Sequence, residues 1–476
     1  MSRSARSMTA KDKAQFSVAV GYAAAQSRTR AGMEAAPSTH TCVGPLAGSR
    51  YAWMHRTCYF RNIYLIGSQW FYVLDAKEPM NLDDDNSGEF SVALSPMHLL
   101  PAKARYTPLK FTPEIVSSSA LLERLANSKR AVVVEPRPAF YFTEYHGQNF
   151  AHVLMDVLLP IYQGLHTFGL MYVDDDQPSK CFREVIGLEQ LTNGSGMMYS
   201  CQWMNSTHWR HGTGVPACER FRRTVWPLLV KQRVALQPSG NTPTLYRHLV
   251  SGSGDLTDHC HSGHAGFYSS DAPVDSKCNQ GRERLLMDYV NALVRCAGVP
   301  AQPNLGAMKV VVWDKGGSGS NTGVKIYVDQ LQNFSKGPLA ETVQRLGLVW
   351  VSGVEVYGDT GPNGLADMSL REQMALYRNA AVSLGSVGGG SFGTLFMPRG
   401  STAVRLSSPM VEPTVDWQLF SFMPMTQVKY VKARDPAIRP GSDDANALIA
   451  DVVTGLRRFA VFHELQVPAF MQQPPD

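Results

Sequence analysis

From Met308 onward the chain alternates short β-rich runs with helical ones, and this alternation constrains the fold more than any other feature. "MKVVVW" reads as a strand, "LAETVQRLG" as a helix, "LVWVSGVEVY" as a strand, "SLREQMALYRNA" as a helix and "AVSLGS" as a strand. Three consecutive glycines follow, then "GTLFM" as a helical turn and "TAVRLSS" as a further strand. Strands that alternate with helices of about ten residues signal a parallel α/β sheet with crossover helices. Such sheets bind ligands outside the carboxyl ends of their strands.

The glycines Gly388, Gly389 and Gly390 stand at one of those strand ends. Three adjacent glycines lose more conformational entropy on folding than any other tripeptide, so they belong where φ is positive or where something must approach the backbone closely. They suit a phosphate or sugar held on backbone N–H groups at the start of a short helix, or a tight strand-to-helix turn with no ligand. Their spacing matches neither G-x-x-x-x-G-K-[ST] nor G-x-G-x-x-G. Their place after a strand favours the ligand.

At 476 residues the chain is long enough for two domains, each with its own core. Residues 1–48 lack periodicity and read as a disordered tail, residues 49–304 as an N-terminal domain and residues 305–476 as a C-terminal one. Aromatic and β-branched alternation over residues 50–74 predicts two strands around Gly67. "KRAVVVEP" (residues 129–136) predicts a strand buried on both faces. Residues 144–169 carry the best helical pattern of the N-terminal half, with Pro160 marking a kink or break. Residues 282–298 predict a second helix.

Forty-five basic against 40 acidic residues give only +5, and the nearest basic cluster, residues 219–233, is split by an apolar stretch. No nucleic-acid partner is indicated. Eight cysteines contain no C-x-x-C pair, so zinc and thioredoxin-type readings are weak. Together with sequons at Asn193, Asn205 and Asn333 they favour a secretory protein. The apolar run at residues 16–25 is too short to span a bilayer and reads as a poor signal-peptide core or a transit-like segment, so no membrane span is expected.

Asn149, His152 and Asp156 fall at i, i+3 and i+7 of the predicted helix, on one face. His152 could act as a general base with Asp156 holding its tautomer, or the pair could simply be buried and hydrogen-bonded. "DHCHSGH" (residues 258–264) holds potential metal ligands, but its Gly/Ser-rich flanks read as a flexible loop and no metal is expected. Lys315 and Lys325 bracket a Gly/Ser loop after a strand, where they could neutralise a diphosphate or lie solvated. No G-x-S-x-G elbow supports an α/β-hydrolase.

Three segments together resemble glycosyltransferase family 61, which contains plant xylosyl- and arabinosyltransferases and animal enzymes that add N-acetylglucosamine to extracellular domains or to O-mannose. "CYFRNIY" (residues 58–64) looks like its Cys-x-Phe-x-Asn segment, and "NFAHVLMDVLLPIY" (residues 149–162) like its Asn-Phe-x-His-x-x-x-Asp helix. "REQMALYRNAAVSLGSVGGGSFGTLFMPRGSTAVRL" is similar to its C-terminal block. The resemblance implies a GT-B fold, two Rossmann-like domains facing a cleft. It also implies an inverting transfer from a UDP-sugar donor to a glycan or glycoprotein acceptor in the Golgi or endoplasmic reticulum lumen, without metal or other cofactor. His152 or Asp156 would be the base. Gly388, Gly389, Gly390 and Ser391, with Lys315 or Lys325, would cradle the diphosphate, and Gln373 would lie on the nucleotide side. The chain departs from the family pattern at Val387, which stands where that family has a His, and in offering lysines where it tends to have arginines. Those departures motivate the alternative, a catalytically degenerate protein of the same fold that binds glycans or scaffolds other enzymes.

Overall fold

A computed structural model describes residues 36–43, 56–74, 91–94, 99–100, 105–106, 110–143, 153–171, 185–190, 223–230, 232–236, 242–252, 283–314, 328–358, 364–365, 368–386, 389–407, 426–432 and 438–471. It is a mixed α/β structure built on two main sheets.

The N-terminal half contributes β1 (Thr39–Val43), β2 (Thr57–Ile66), β3 (Gln69–Leu74), the two-residue strands β4 (Val92–Ala93), β5 (Leu99–Leu100), β6 (Arg105–Tyr106) and β7 (Lys110–Phe111), then β8 (Glu114–Ser117), β9 (Val133–Phe142), β10 (Ile186–Gln190), β11 (Gln232–Leu236) and β12 (Thr244–Gly252). The main sheet runs β11-β10-β9-β12-β2-β3-β8, with β1 on β2. Its β11-β10-β9-β12 part is parallel, whereas β2 is antiparallel to β12, β3 and β1. This sheet therefore departs from an all-parallel Rossmann sheet. The predicted hairpin around Gly67 is present as β2 and β3.

Two expectations are corrected. Residues 39–43, placed in a tail by their weak periodicity, form β1, which pairs with β2 and is tied to it by a Cys42–Cys58 disulfide. An edge strand with half its positions in solvent carries little apolar pattern, and the covalent tie holds it instead. Strand β9 reaches past the predicted 129–136 run. Its first half alternates toward solvent, and its fully buried part is Pro138–Phe142. The register shift opposite it, between Tyr246 and His248, accommodates the two prolines that would otherwise break a central ladder.

The C-terminal sheet matches the predicted alternation. Strands β13 (Met308–Asp314), β14 (Val351–Gly358), β15 (Ala380–Ser386), β16 (Ser401–Ser407) and β17 (Thr426–Lys432) are all parallel, in the order β14-β13-β15-β16-β17. Numbered from the first strand, that is 2-1-3-4-5, one of the two common doubly wound orders.

Seven α-helices are described: α1 (Ser118–Ser128), α2 (Leu159–Thr167), α3 (Glu283–Cys296), α4 (Val328–Phe334), α5 (Ala340–Arg345), α6 (Leu370–Arg378) and α7 (Asp443–Phe462). On one face of the C-terminal sheet Val310, Val312, Leu384, Val404 and Leu406 pack with Leu331 of α4, Val343 of α5 and Leu448, Val452, Leu456 and Phe459 of α7. On the other, Val311, Trp313 and Ala403 join Met374 and Tyr377 of α6, Phe392 and Phe396, and Tyr289, Val290 and Leu293 of α3. That second core continues into α2 and the N-terminal sheet, so α3 joins the two halves. The Tyr289 hydroxyl, buried in the joint, donates to the Leu154 carbonyl at 2.6 Å, a bond that contributes about 1 kcal/mol.

Candidate functional site

In the 2-1-3-4-5 order the chain leaves β13 toward β14 on one side and returns to β15 on the other. The crevice of such a sheet opens between those two strands, at their carboxyl ends. Here the ends are Asp314 and Ser386, 2% and 6% exposed. The Ser386 Oγ is buried and has no hydrogen-bond partner among the described residues. Both sets of predicted phosphate ligands leave from these strands: Lys315 directly follows Asp314, and the glycines follow Ser386 by one residue.

Gly389, Gly390 and Ser391 open a 3₁₀ helix, Gly389–Phe396. Its first N–H groups lack partners within the helix and face the direction an anion favours. The helix is seated on α6 by Gly393: a Cβ there would lie 2.1 Å from Tyr377 Cε2 and 2.3 Å from Cζ. No residue with a side chain fits that approach. It is the close-contact reason for a glycine that the sequence shows only as part of "SFG".

Beneath this helix lies a charge that the sequence reading did not single out. Arg405 of β16 is 1% exposed. Its guanidinium donates to Ser383 Oγ at 3.2 and 3.3 Å, to the carbonyls of Ser383 and Val404 at 3.4 Å, and to Thr394 Oγ1 of the 3₁₀ helix. An Arg keeps its charge at any pH a protein survives, so a fixed cation sits behind the glycine-led helix. Its sequence signal is the polar break in "TAVRLSS", where every other inward position is apolar or small.

Across the strands, Tyr357, Trp313, Gly385 and Arg405 stand in one register row, one rung from the last. Gly385 leaves room for its neighbour: a Cβ there would sit 2.9 Å from the Trp313 carbonyl oxygen and 3.3 Å from the indole. At the outer end Tyr357 donates to Glu355, which also pairs with Lys309 at 2.6 Å. Burial, with Glu355 beside it, pushes the Tyr357 hydroxyl well above its usual range. For Glu355 itself burial works upward, but Lys309 and the Tyr357 hydroxyl outweigh it and hold the carboxyl below its usual value.

Gln373, expected on the nucleotide side, has a structural use. Its Nε2 donates to the carbonyls of Leu365 and Met368 at 2.8 and 3.2 Å, fixing the segment before α6. That helix starts in a capping box, in which Ser369 Oγ accepts from Glu372 N and Glu372 Oε2 accepts from Ser369 N.

Asp156 lies in a π-helical turn, Val153–Leu158, that leads into α2. Pro160 explains it. A proline lacks the N–H that would bond the carbonyl four residues back, here that of Asp156, and its ring clashes with that oxygen. Widening the turn to i→i+5 bonding relieves both. The predicted kink is thus a π turn. His152, Asn149, Lys315, Lys325, Gly388 and Val387 lie outside the described residues, as does the 258–264 cluster. Among the described residues no group of three or more His, Cys, Asp or Glu is placed to hold a metal ion, and no helix is long and apolar enough to cross a membrane.

No protein-family model matches the chain, and no curated protein matches it.

Proposed function

We propose that the chain is an inverting glycosyltransferase that moves a sugar of the xylose, arabinose or N-acetylglucosamine class from a UDP-sugar to a glycan or glycoprotein acceptor. The observation that carries this reading is the pairing of a glycine-led 3₁₀ helix with a buried Arg405 at the switch point of a 2-1-3-4-5 parallel sheet. Phosphate oxygens suit that place, because N–H donors, a helix N-terminus and a fixed cation all favour negative charge there.

In this proposal the acceptor hydroxyl attacks the anomeric carbon from the face opposite the departing UDP. The new C–O bond forms as the bond to the diphosphate breaks, and His152 or Asp156 takes the hydroxyl proton. Gly388, Gly389, Gly390 and Ser391 hold the leaving diphosphate, with the charge of Lys315 or Lys325 and of Arg405 to offset it. The full arrangement would be of GT-B type, with the N-terminal half on the acceptor side. The Cys42–Cys58 disulfide and the exposed Asn333 of the third sequon support an oxidising compartment, the Golgi or endoplasmic reticulum lumen.

One observation favours the alternative, a degenerate member that binds glycans or scaffolds other enzymes. The Gln373 amide, a nucleotide-side group in the resemblance, is engaged by two backbone carbonyls. The experiment that decides is UDP release from a panel of UDP-sugars, with and without EDTA, for wild type, Asp156→Ala and His152→Ala. The proposal expects release from one donor, indifferent to EDTA and abolished by at least one substitution. UDP binding without release from any donor, with or without an acceptor glycan, selects the alternative.

A further inference from the structure

A second recess lies between α2 and α3, away from the strand ends just described. It encloses about 670 Å3, within the range of small-molecule sites. Its residues reach Val299 and Ala301, and the Ala301 carbonyl accepts from Arg378 at the C-terminal end of α6, just before β15 begins. The recess therefore sits at the amino edge of the C-terminal sheet. The seven residues of β15 separate it from the glycine-led helix, roughly 20 Å at the rise of a parallel strand.

Its chemistry is mixed. Asp288, Asn291 and Arg295 project from α3 at i, i+3 and i+7, one face of that helix. They offer in turn an acceptor, a group that both donates and accepts, and a donor. Facing them on α2 are Tyr162 and His166, whose rings stack at 5.8 Å with 18° between planes. Tyr162 is buried, while His166, Asn291 and Arg295 are exposed.

We infer that this recess binds a neutral oligosaccharide. Three features argue against a charged ligand. Arg295 opposes a cation, and Asp288, paired with Arg284 at 3.9 Å, opposes an anion. The helix ends oppose an anion too, since His166 lies in the last turn of α2 and Arg295 in that of α3, where the dipole is negative. A neutral ligand whose every polar group both donates and accepts matches the Asp-Asn-Arg ladder, and sugar hydroxyls do this. The C–H face of a sugar ring also complements the face of an aromatic ring, and the exposed His166 ring, backed by Tyr162, offers one. Deep burial would make so many polar groups costly to satisfy, but an open recess leaves the unused ones to water.

The inference does not depend on what the other edge of the sheet binds. It is tested with the full chain by saturation-transfer NMR and calorimetry, using maltotriose, mannotriose, xylotriose and chitotriose, with sulfated lactose and spermidine as charged probes. At least one neutral trisaccharide should bind. Asn291→Ala and Arg295→Ala, both at exposed positions, should each weaken it about tenfold, the loss of one good polar contact, while Arg405→Met leaves it unchanged. The inference is overturned if none of the four binds, if both α3 substitutions leave binding intact, or if a charged probe binds more tightly than the sugars and is weakened by the same α3 substitutions.

Discussion

Replacing Gly393 with Ala tests how the glycine-led helix is held. The added Cβ would meet three atoms of the Tyr377 ring at 2.1, 2.3 and 2.6 Å. Carbon atoms rest at about 3.5 Å or more, so the helix and α6 must separate by roughly 1.4 Å along the shortest of these contacts. Tyr377 is 2% exposed and surrounded by core, which leaves the ring nowhere to swing. Overpacking of this kind costs about 1–3 kcal/mol, and contact with a ring on a packed helix places it at the upper end. For a unit of this size about 3 kcal/mol lowers Tm by roughly 6–12 °C. Thermal and urea unfolding followed by circular dichroism would measure it. The decisive control is the same substitution in a Tyr377→Ala background. Tyr377→Ala alone costs about 3–5 kcal/mol by analogy with other large aromatic truncations, but there Gly393→Ala should be nearly free, giving a coupling of about 3 kcal/mol. The same penalty in both backgrounds, or less than about 1 kcal/mol in the native one, would refute the account of Gly393.

Three further outcomes are expected. Cys42→Ser should lower stability by about 3 kcal/mol, the value for a closed loop of this length, since the bridge spans a sequence separation of 16; reductant should reproduce the loss in wild type and add nothing in the variant. Burial pushes Tyr141 and Tyr162 up to about 12 from an ordinary value of 10.0, so their contribution is intact below pH 10 and is lost as pH rises from there toward 12; tyrosinate absorbance from these rings should therefore appear together with unfolding, and Tyr141→Phe should move the alkaline midpoint upward. Glu355 is held below its ordinary value of 4.5, so its contribution is present above that pH and disappears as pH falls through the lowered value; Lys309→Met should flatten the acid limb of urea midpoints measured down to about pH 3.

The C-terminal sheet was legible because its central strands β13, β15 and β16 are buried on both faces and read as short apolar runs, with helices of the right length around them. Strands β13 to β16 and helices α5 and α6 needed no contact information to place, whereas α4 (Val328–Phe334) was not read as a helix. The N-terminal half was harder for identifiable reasons. Strand β1 owes its place to a disulfide and a single neighbour rather than to a pattern of its own. Strand β9 runs through Pro136 and Pro138, which in sequence signal a stop, because a shifted register opposite them removes the need for their missing donors. At the site, the glycine run pointed to the right strand end, but Arg405 did not stand out, because an Arg in a strand is more often on a solvated face. What makes it notable is its enclosure by Ser383 and Thr394, 22 and 11 residues away in sequence. Gln373 shows the converse: a plausible ligand by position whose amide closes its own loop. The turn around Asp156 was legible as a kink from Pro160, though only the structure gives its π form.

The central claim is that the carboxyl edge of the C-terminal sheet is a nucleoside-diphosphate site backed by Arg405. The most direct measurement is calorimetric titration of UDP into the full chain and into Arg405→Met, a substitution that keeps length and apolar bulk in a buried setting where replacing a charge is often tolerated. The account predicts that wild type binds UDP and that Arg405→Met, with an unchanged circular dichroism spectrum, binds at least about tenfold more weakly, the effect of losing one charge-assisted interaction. Absence of UDP binding by wild type, or equal affinity in the two folded proteins, would contradict it.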